Sequence, residues 1–389
     1  MKRIGVVTAT RAEYGLLRNT IKAIIDDNEL ELELIVTGTH LLSEYGHTID
    51  EIIEDGFPIS KKIDIISAAG DTNDICKIMG SASMKFSEYF QKNKMDILIV
   101  LGDRYELLSI CSAAMAYSIP IAHISGGETT EGAIDEAVRH CITKMSYLHF
   151  PGCEEYRKRI IQLGESPDRV FNWGDVGVEN IIKIQLMSKE ELEESIDFKL
   201  DRPYFSVTFH PVTLENNTAK MQIEELLSAL DERPQYKYII TKANADPGNL
   251  EINDSIDKFV STRENCVAHE SLGIKRYLSL LKYSSGIIGN SSSGIVEAPV
   301  MKIPTINIGD RQKGRLRADS IIDCNPSKNE ILAAIDKSQN EEFKSVCKNT
   351  VSLYGVGDTS VKIVETIKDF LINDKINLKK NFYDVDFKY

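Results

Sequence analysis

Carboxylates gather after predicted strands in the first half of the chain. Asp103 follows the apolar run 97–101, and Glu128 closes the next strand-and-turn segment. Glu131 and Asp135 come a few residues later. Carboxylates that share one site raise each other's pKa, which suits proton removal and donation. The group predicts acid–base chemistry; taken singly, each carboxylate would also serve as a solvated helix cap.

A second candidate site is a turn rich in serine and glycine, residues 289–294, in the other half of the chain. Ser291 and Ser292 precede a predicted helix, whose free N–H groups and partial positive charge suit a phosphate. Glu297 lies one turn into that helix, where its carboxylate can accept hydrogen bonds from ribose hydroxyls. Arg311 begins a basic run that can balance phosphate charge. N-capping serines beside a solvated basic loop are the alternative explanation.

Further polar residues follow other predicted strands one by one. Arg11, His40 and Arg104 do so in the first half of the chain, and His210 and Asn244 in the second half. In open parallel sheets, ligands bind beyond the carboxyl ends of the strands. We therefore predict that these side chains contact a ligand.

The elements that must position these residues alternate between short apolar runs and amphipathic segments, which is typical of parallel α/β sheets. A length of 389 residues fits two domains. We predict an α/β protein with two Rossmann-like domains facing each other across a cleft. The predicted boundaries are 1–177 for the domain with the carboxylates, 178–365 for the nucleotide-binding domain and 366–389 for a C-terminal helix and tail. No G-x-G-x-x-G follows the first strand, so the dinucleotide fingerprint is missing.

The composition narrows the choice of partners. The net charge of −13 and the pI of about 5.2 argue against general electrostatic binding to nucleic acid or a membrane surface. The seven cysteines form no C-x-x-C pair and show no zinc-ligand spacing to the histidines. We predict a cytoplasmic protein with reduced thiols and no metal site.

Segments spread over nearly the whole chain together resemble the hydrolysing UDP-N-acetylglucosamine (UDP-GlcNAc) 2-epimerases of sialic-acid biosynthesis. These enzymes are related to the non-hydrolysing epimerases and have the two-domain fold of GT-B glycosyltransferases. The matching segments are 10–15, 36–40, 102–104, 126–128, 135–140, 209–213, 289–294 and 308–314.

The resemblance implies a UDP-sugar substrate, with the UDP held mainly by the second domain. No metal or redox cofactor is implied, and the relatives are commonly dimers or tetramers. The implied nucleotide contacts are Ser291, Ser292, His210, Arg311, Glu297 and Asn244 in the second domain, with Arg11 and Arg104 closing over the phosphates.

In the family's reaction, a base removes the proton at C2 while UDP leaves C1, giving 2-acetamidoglucal. Water then adds to C1 and a proton returns to the opposite face of C2, giving N-acetylmannosamine (ManNAc). The resemblance implies Asp103 and Asp135 as catalytic carboxylates. Many relatives have a glutamate where this chain has Ser125, so Glu128 or Glu131 is expected to take that role.

Other activities fit the same segments. A hydrolysing epimerase could use UDP-2,4-diacetamido-2,4,6-trideoxyglucose for legionaminic acid, because the chemistry at C1 and C2 is the same. A non-hydrolysing epimerase would return an intact UDP-sugar, and a glycosyltransferase would need an acceptor. A UDP-sugar sensor would need the nucleotide site but no carboxylates.

Overall fold

The computed structural model describes residues 1–43, 47–66, 75–129, 134–211, 219–243, 249–355 and 357–386. The chain divides into two compact units. The first unit comprises Met1–Asn180 and Tyr354–Tyr389, and the second comprises Ile181–Leu353.

Within the described residues, each unit is built on a six-stranded sheet whose neighbouring strands pair in parallel. The strands are β1 (Lys2–Thr8), β2 (Leu30–Thr37), β3 (Ile59–Ile63), β4 (Ile97–Leu101), β5 (Ile121–Ile124), β6 (Leu148–Phe150), β7 (Tyr204–Thr208), β8 (Lys237–Thr241), β9 (Cys266–His269), β10 (Ile287–Gly289), β11 (Thr305–Ile308) and β12 (Ile321–Cys324). The first sheet has the order β3-β2-β1-β4-β5-β6 and the second β12-β11-β10-β7-β8-β9. Both orders are Rossmann-like, as the sequence predicts.

Helices connect the strands. Those in the described residues are α1 (Arg11–Ile25), α2 (Ile49–Glu54), α3 (Ile75–Lys92), α4 (Tyr105–Ala116), α5 (Ile134–Met145), α6 (Glu154–Gln162), α7 (Val176–Lys183), α8 (Lys189–Ile196), α9 (Ala219–Asp231), α10 (Asn249–Val260), α11 (Gly273–Tyr283), α12 (Ser293–Met301), α13 (Lys328–Ser338), α14 (Glu341–Asn349) and α15 (Thr359–Ile372). None of these helices is long and apolar enough to cross a membrane.

The apolar strands of the first sheet supply cores on both of its faces. In β4, Ile97 and Ile99 pack into the core shared with α1, while Leu98 and Val100 pack into the core shared with α3 and α4. Successive side chains of a strand point to opposite faces, so a strand covered on both sides reads as a continuous apolar run. This accounts for the uninterrupted run at 97–101.

Helix α15 belongs to the first unit, which differs from the predicted boundaries. Its buried residues Ile363 and Ile367 pack into the core that contains α1, and Ser360 accepts a hydrogen bond from Thr20 Oγ1 at 3.0 Å. The sequence prediction ended the second domain at residue 365, in the middle of this helix. The amphipathic pattern of α15 locates its buried face but does not say which core covers that face. The predicted boundary at 177 lies close to Asn180, where the first stretch of the first unit ends.

The segment after α15 is largely exposed, and Lys380 is one of the residues that anchor it. Lys380 Nζ donates to the carbonyls of Lys144 and Ser146, both at 2.8 Å, and to the fully buried carboxylate of Glu165 at 3.0 Å. Burial alone would raise the pKa of Glu165, but His149, Lys144 and Lys380 together lower that pKa to about 2. The carboxylate therefore stays charged and ties the tail to the first unit.

Candidate active site

The first group of candidate residues lies where β4 and β5 end, around a buried arginine. Arg139, on α5, forms an ion pair with Asp103. Its other terminal nitrogen donates to the Glu136 carboxylate at 3.3 Å and to the Glu128 carbonyl oxygen at 3.1 Å. The Arg139 side chain is only 4% exposed. This one guanidinium therefore brings together Asp103 and Glu128, two of the predicted catalytic residues.

Arg104 and Asp135 belong to the same edge of the sheet. Arg104 is the N-cap of α4, and its Nε lies 2.5 Å from the buried carboxylate of Glu106. Asp135, in the first turn of α5, is half-buried; burial raises the pKa of its carboxyl, and the nearby charge of Arg104 opposes the rise. A carboxyl group with a raised pKa is suited to carrying a proton.

A buried histidine of β5 holds the loop after β4, and backbone conformation fixes the loop after β5. His123 Nε2 donates to the Gly102 carbonyl oxygen at 2.8 Å, and burial lowers the pKa of the ring to about 3, so the imidazole is neutral. Gly127 has φ +78°, and a Cβ there would lie 2.5 Å from the Tyr156 carbonyl oxygen. Ser125 has φ +61°, a conformation that residues with a Cβ seldom adopt. The loop bearing Glu128 is thus fixed by its backbone.

Arg11 and His40 differ in their access to a ligand. Arg11 begins α1 and is largely exposed, with its Nε 2.7 Å from a carboxylate oxygen of Glu51. His40 is fully buried, and its ring nitrogens lie 3.0 Å from Thr8 Oγ1 and 2.8 Å from Thr48 Oγ1. Both nitrogens are therefore held by threonine hydroxyls, and the predicted ligand contact of His40 stays a prediction. Arg11 remains a candidate for binding.

The second group of candidates surrounds the turn between β10 and α12. Gly289 has φ +138°, and a Cβ at this position would overlap the Thr208 carbonyl oxygen. Ser292 is the N-cap of α12, but its side chain makes no capping hydrogen bond. Ser291 Oγ accepts from the Ser293 N–H at 3.3 Å. The N–H groups of Gly294 and Ile295 already bond to the carbonyls of Ser291 and Ser292, so attraction of an anion to this helix start depends on its partial positive charge and on the two serine side chains.

Asn290 joins this turn to the residues after β7. Its side-chain Oδ1 accepts from the His210 N–H at 2.7 Å, and its Nδ2 donates to the His210 carbonyl at 2.8 Å. Its own carbonyl accepts from Arg311 at 3.2 Å and from Gln312 Nε2 at 2.9 Å. His210 and Arg311 are thereby brought to the serine turn, and their contact with a ligand stays a prediction.

The basic run after β11 is divided between two tasks. Arg311 faces the turn through Asn290, whereas Arg317 binds the Asp323 carboxylate at 2.8 Å. The expectation that the whole run balances phosphate charge is therefore corrected: Arg317 is ion-paired locally.

Glu297, on α12, lies near Tyr277. Burial, with a further contribution from the Glu297 charge, raises the pKa of the Tyr277 phenol.

Two predicted site residues, Glu131 and Asn244, lie outside the described residues. Across the described ranges, no group of three or more His, Cys, Asp or Glu side chains could hold a metal ion.

The profile of the family described as UDP-N-acetylglucosamine 2-epimerase matches residues 22–368. The chain belongs to this family.

Members of the family match the chain from end to end. A protein of Campylobacter jejuni named GDP/UDP-N,N'-diacetylbacillosamine 2-epimerase (hydrolyzing) is 43% identical over 385 residues, which cover 99% of each chain. The Polysialic acid biosynthesis protein P7 of Escherichia coli is 42% identical, covering 99% of this chain and 98% of its own.

A solved structure shows the same fold. The UDP-GlcNAc 2-epimerase of Neisseria meningitidis, crystallised with UDP-GlcNAc, superposes with a TM-score of 0.81 at 19% identity. The match covers 95% of this chain and 100% of the other. The two parallel-sheet units of this epimerase-family protein therefore form a GT-B-like fold.

Sequence reasoning missed Arg139 and Asn290 as organising residues. Arg139 lies within a segment that resembles the family, but its partner Asp103 is 36 residues away. Asn290 lies in the serine turn, 80 residues from His210. The usable signal in each case is a polar side chain in a buried stretch, since buried polar groups are almost always hydrogen-bonded.

Proposed function

We propose that this chain is a hydrolysing UDP-GlcNAc 2-epimerase that produces ManNAc and UDP for sialic-acid biosynthesis. The observation that carries the proposal is a pair of carboxyl groups in different environments at one edge of the first sheet. Asp103 is ion-paired with Arg139, while Asp135 is half-buried with a raised pKa. Two carboxyl groups whose environments push their pKa values apart are suited to act as base and acid.

In this proposal Asp103 removes the C2 proton as the C1–O bond to UDP breaks, giving 2-acetamidoglucal. Water then adds to C1, and Asp135 returns a proton to the opposite face of C2. Glu128 and Glu131 are candidates for activating the water. At the end of the cycle Asp103 releases its proton to solvent and Asp135 regains a proton from the one that the water loses on adding to C1, so both carboxyl groups return to their starting forms.

The second unit would bind the UDP part. The positive end of α12, with Ser291 and Ser292, would bind the diphosphate. Arg311 and His210 would flank it, and Glu297 would accept from ribose hydroxyls. Stabilising the departing UDP matters because the C2 proton is only weakly acidic. Asn244, Arg11 and Arg104 complete the proposed contacts.

A second substrate is supported by the names of the relatives. The Campylobacter protein is named for a diacetylbacillosamine nucleotide and the Escherichia coli protein for polysialic acid, at nearly equal identity. UDP-2,4-diacetamido-2,4,6-trideoxyglucose is therefore the alternative to UDP-GlcNAc, and the same carboxyl groups would act on it.

We further propose a cytoplasmic homo-oligomer. All seven cysteines lie in the described residues and are free, which suits a reducing compartment. Light scattering of the purified protein tests the predicted dimer or tetramer, and a monomer at assay concentration would contradict it.

Proton NMR in D2O with each UDP-sugar tests the activity. Free ManNAc with deuterium at C2, together with UDP, is the expected result. An intact UDP-ManNAc would show a non-hydrolysing epimerase, and turnover of the diacetamido sugar alone would establish the second substrate. No turnover of either sugar would contradict both proposals.

A further inference from the structure

A pocket in the first unit is lined by none of the candidate site residues. It has a volume of about 340 Å³ and lies between Tyr147, residues 166–169 and residues 377–383, and we call it the tail pocket. Arg169, Lys379 and Lys380 contribute to its lining, whereas no carboxylate among the described residues does. Acidic residues outnumber basic ones by 59 to 46 in this chain, so a lining whose charged groups are all cations needs an explanation beyond composition.

The segment after α15 forms one wall of the tail pocket and is fixed along its length. The Asn377 N–H donates to Tyr147 Oη at 3.0 Å, and the Tyr383 N–H donates to the Gly164 carbonyl at 2.9 Å. Between these two points, the Lys380 ammonium donates to two backbone carbonyls, both at 2.8 Å. The wall is therefore formed before a ligand arrives, which lowers the entropy cost of binding.

Arg169 is the buried cation of the tail pocket. It is 8% exposed, and its guanidinium carbon lies 4.9 Å from the centre of the Tyr147 ring. Its Nη2 is 3.5 Å from Glu165 Oε2, while its Nη1 is buried and has no hydrogen-bond partner among the residues that the structure describes. Buried donors are rarely left unpaired, because desolvation without a compensating hydrogen bond is costly. A guanidinium in this state is suited to an oxyanion, whose oxygens match its donors.

Positive charge at the tail pocket exceeds the negative charge around it. Arg169, Lys380 and the neighbouring Lys144 all pair with one carboxylate, that of Glu165, and within the described ranges they pair with no other. Lys379, which forms no ion pair with a described residue, adds a further charge to the lining. Burial lowers the pKa of Lys380, and repulsion from Lys144 and Arg169 lowers it further, against the attraction of Glu165. An anion with two negative charges would offset this repulsion more fully than one with a single charge.

We propose that the tail pocket binds a phosphate dianion, either the free ion or the phosphate group of a small molecule. Arg169 and Lys379 donate hydrogen bonds to the phosphate oxygens. Lys380 contributes its charge, because its ammonium already donates to two carbonyls and to Glu165. The volume of about 340 Å³ leaves room beside a phosphate for a sugar ring. The proposal goes beyond the epimerase activity and does not depend on it.

Calorimetric titration of the full-length protein with inorganic phosphate tests the proposal, at a slightly alkaline pH where the ion is mainly a dianion. Chloride keeps the ionic strength constant. Lys379→Gln and Arg169→Gln are the informative variants. Lys62→Gln is the matched control, because Lys62 is an exposed lysine of the same unit, as Lys379 is, and its replacement makes the same change in charge.

We expect the wild type and Lys62→Gln to bind phosphate with the same Kd. Lys379→Gln should weaken this binding by about tenfold, and Arg169→Gln should weaken it at least as much, because each loses a charged donor. A wild type that binds no phosphate would overturn the proposal, as would a titration that neither variant changes. If Arg169→Gln does not fold, Lys379→Gln decides, because its side chain is exposed.

The serine turn of the second unit is another place where phosphate could bind. Binding at that turn does not involve Arg169 or Lys379, so it would persist unchanged in both variants while the binding at the tail pocket weakens. The outcome at the tail pocket is therefore read separately from that of the proposed function. A protein that turns over neither UDP-sugar but loses phosphate binding in Lys379→Gln would contradict the epimerase and support the tail pocket.

Acetate and glucose 6-phosphate distinguish the possible ligands. Acetate carries one negative charge and should bind at least about tenfold more weakly than phosphate; equal binding would overturn the preference for a dianion. Tighter binding of glucose 6-phosphate than of inorganic phosphate would assign the tail pocket to the phosphate group of a small molecule. Weaker binding of the ester would assign it to the free ion.

Discussion

At the scale of single residues, Arg139 determines how the carboxyl groups are presented. It is almost fully buried and binds Asp103, Glu136 and the Glu128 carbonyl. A planar guanidinium with several donors in fixed directions can hold partners on separate segments at once. An ammonium group cannot reproduce that geometry, so a lysine at this position is not a conservative replacement.

We expect Arg139→Lys to lower kcat by about a hundredfold, the order of a misplaced general base. KM should change little, because Arg139 does not lie in the proposed UDP-binding unit. Initial rates of UDP release measure both quantities. Arg157→Lys is the control, since Arg157 pairs with Glu154 at the surface; an equal loss in both variants would show that the effect is not specific to the site.

Glu13 should also leave a signature in stability. Its pKa is 4.5 in the unfolded chain and about 7 in the fold, so the folded state keeps a proton that the unfolded state has lost. Stability should therefore fall as pH rises from 4.5 to about 7, by about 3 kcal/mol, and level off above.

Urea unfolding of the wild type and Glu13→Gln across this pH range checks the prediction. The difference between the two proteins isolates Glu13, because other titrating groups contribute to both. A difference that does not change with pH would contradict the raised pKa.

At the scale of elements, the turn between β10 and α12 depends on the absence of a side chain at Gly289. The strand lies so close to β7 that a Cβ would overlap the Thr208 carbonyl, and φ is +138°. The close approach of β7 and β10 is also what lets Asn290 reach both backbone groups of His210. The geometry of the proposed phosphate site thus follows from the spacing of two strands.

Gly289→Ala should destabilise the protein by more than about 3 kcal/mol, because of steric overlap and an unfavourable φ. Gly80→Ala is the control; Gly80 lies exposed in α3, where an added Cβ would meet nothing within 4 Å, and the change should stabilise by roughly 0.5–1 kcal/mol. Thermal unfolding measures both. A Gly289→Ala protein as stable as the wild type would contradict the tight packing of β7 and β10.

Local patterns predict these elements well and their partners poorly. An apolar run identifies a strand such as β4, but β3 is mostly exposed and polar and has no such run. The change from strand to serine turn to helix is confirmed at β10 and α12. His40 follows a strand, which is where a ligand contact is expected. Its ring nitrogens bond to the hydroxyls of Thr8 and Thr48, and the local sequence pattern does not predict these two partners. Contacts such as Asp103 with Arg139 depend on how distant segments pack, which periodicity does not encode.

At the scale of the whole molecule, the first unit is built from both ends of the chain. Helix α15 supplies Ile363, Ile367 and Leu371 to the core that α1 and β1 begin. The only tryptophan, Trp173, donates from its indole nitrogen to Thr366 of this helix at 3.0 Å. Its fluorescence is therefore a probe of whether α15 is docked.

Ile367→Ala should lower the stability of the first unit by about 2–5 kcal/mol, because a fully packed isoleucine leaves a cavity. Ile372→Ala, on the same helix but 43% exposed, should change it by less than about 0.5 kcal/mol. Urea unfolding followed by Trp173 fluorescence compares the two. Equal shifts in midpoint would contradict the assignment of α15 to this core.

The packing of α15, which is synthesised last, into the first unit has a consequence for synthesis on the ribosome. Residues 181–353 can be made and can fold while α1 and β1 still lack the helix that covers them, since the chain emerges N-terminus first. The nascent first unit must therefore expose the apolar surface of Leu17, Ile21 and Ile24 until residues 359–372 have left the exit tunnel. That surface is where a chaperone would bind during translation, and chains that stop short of α15 should be the ones that aggregate.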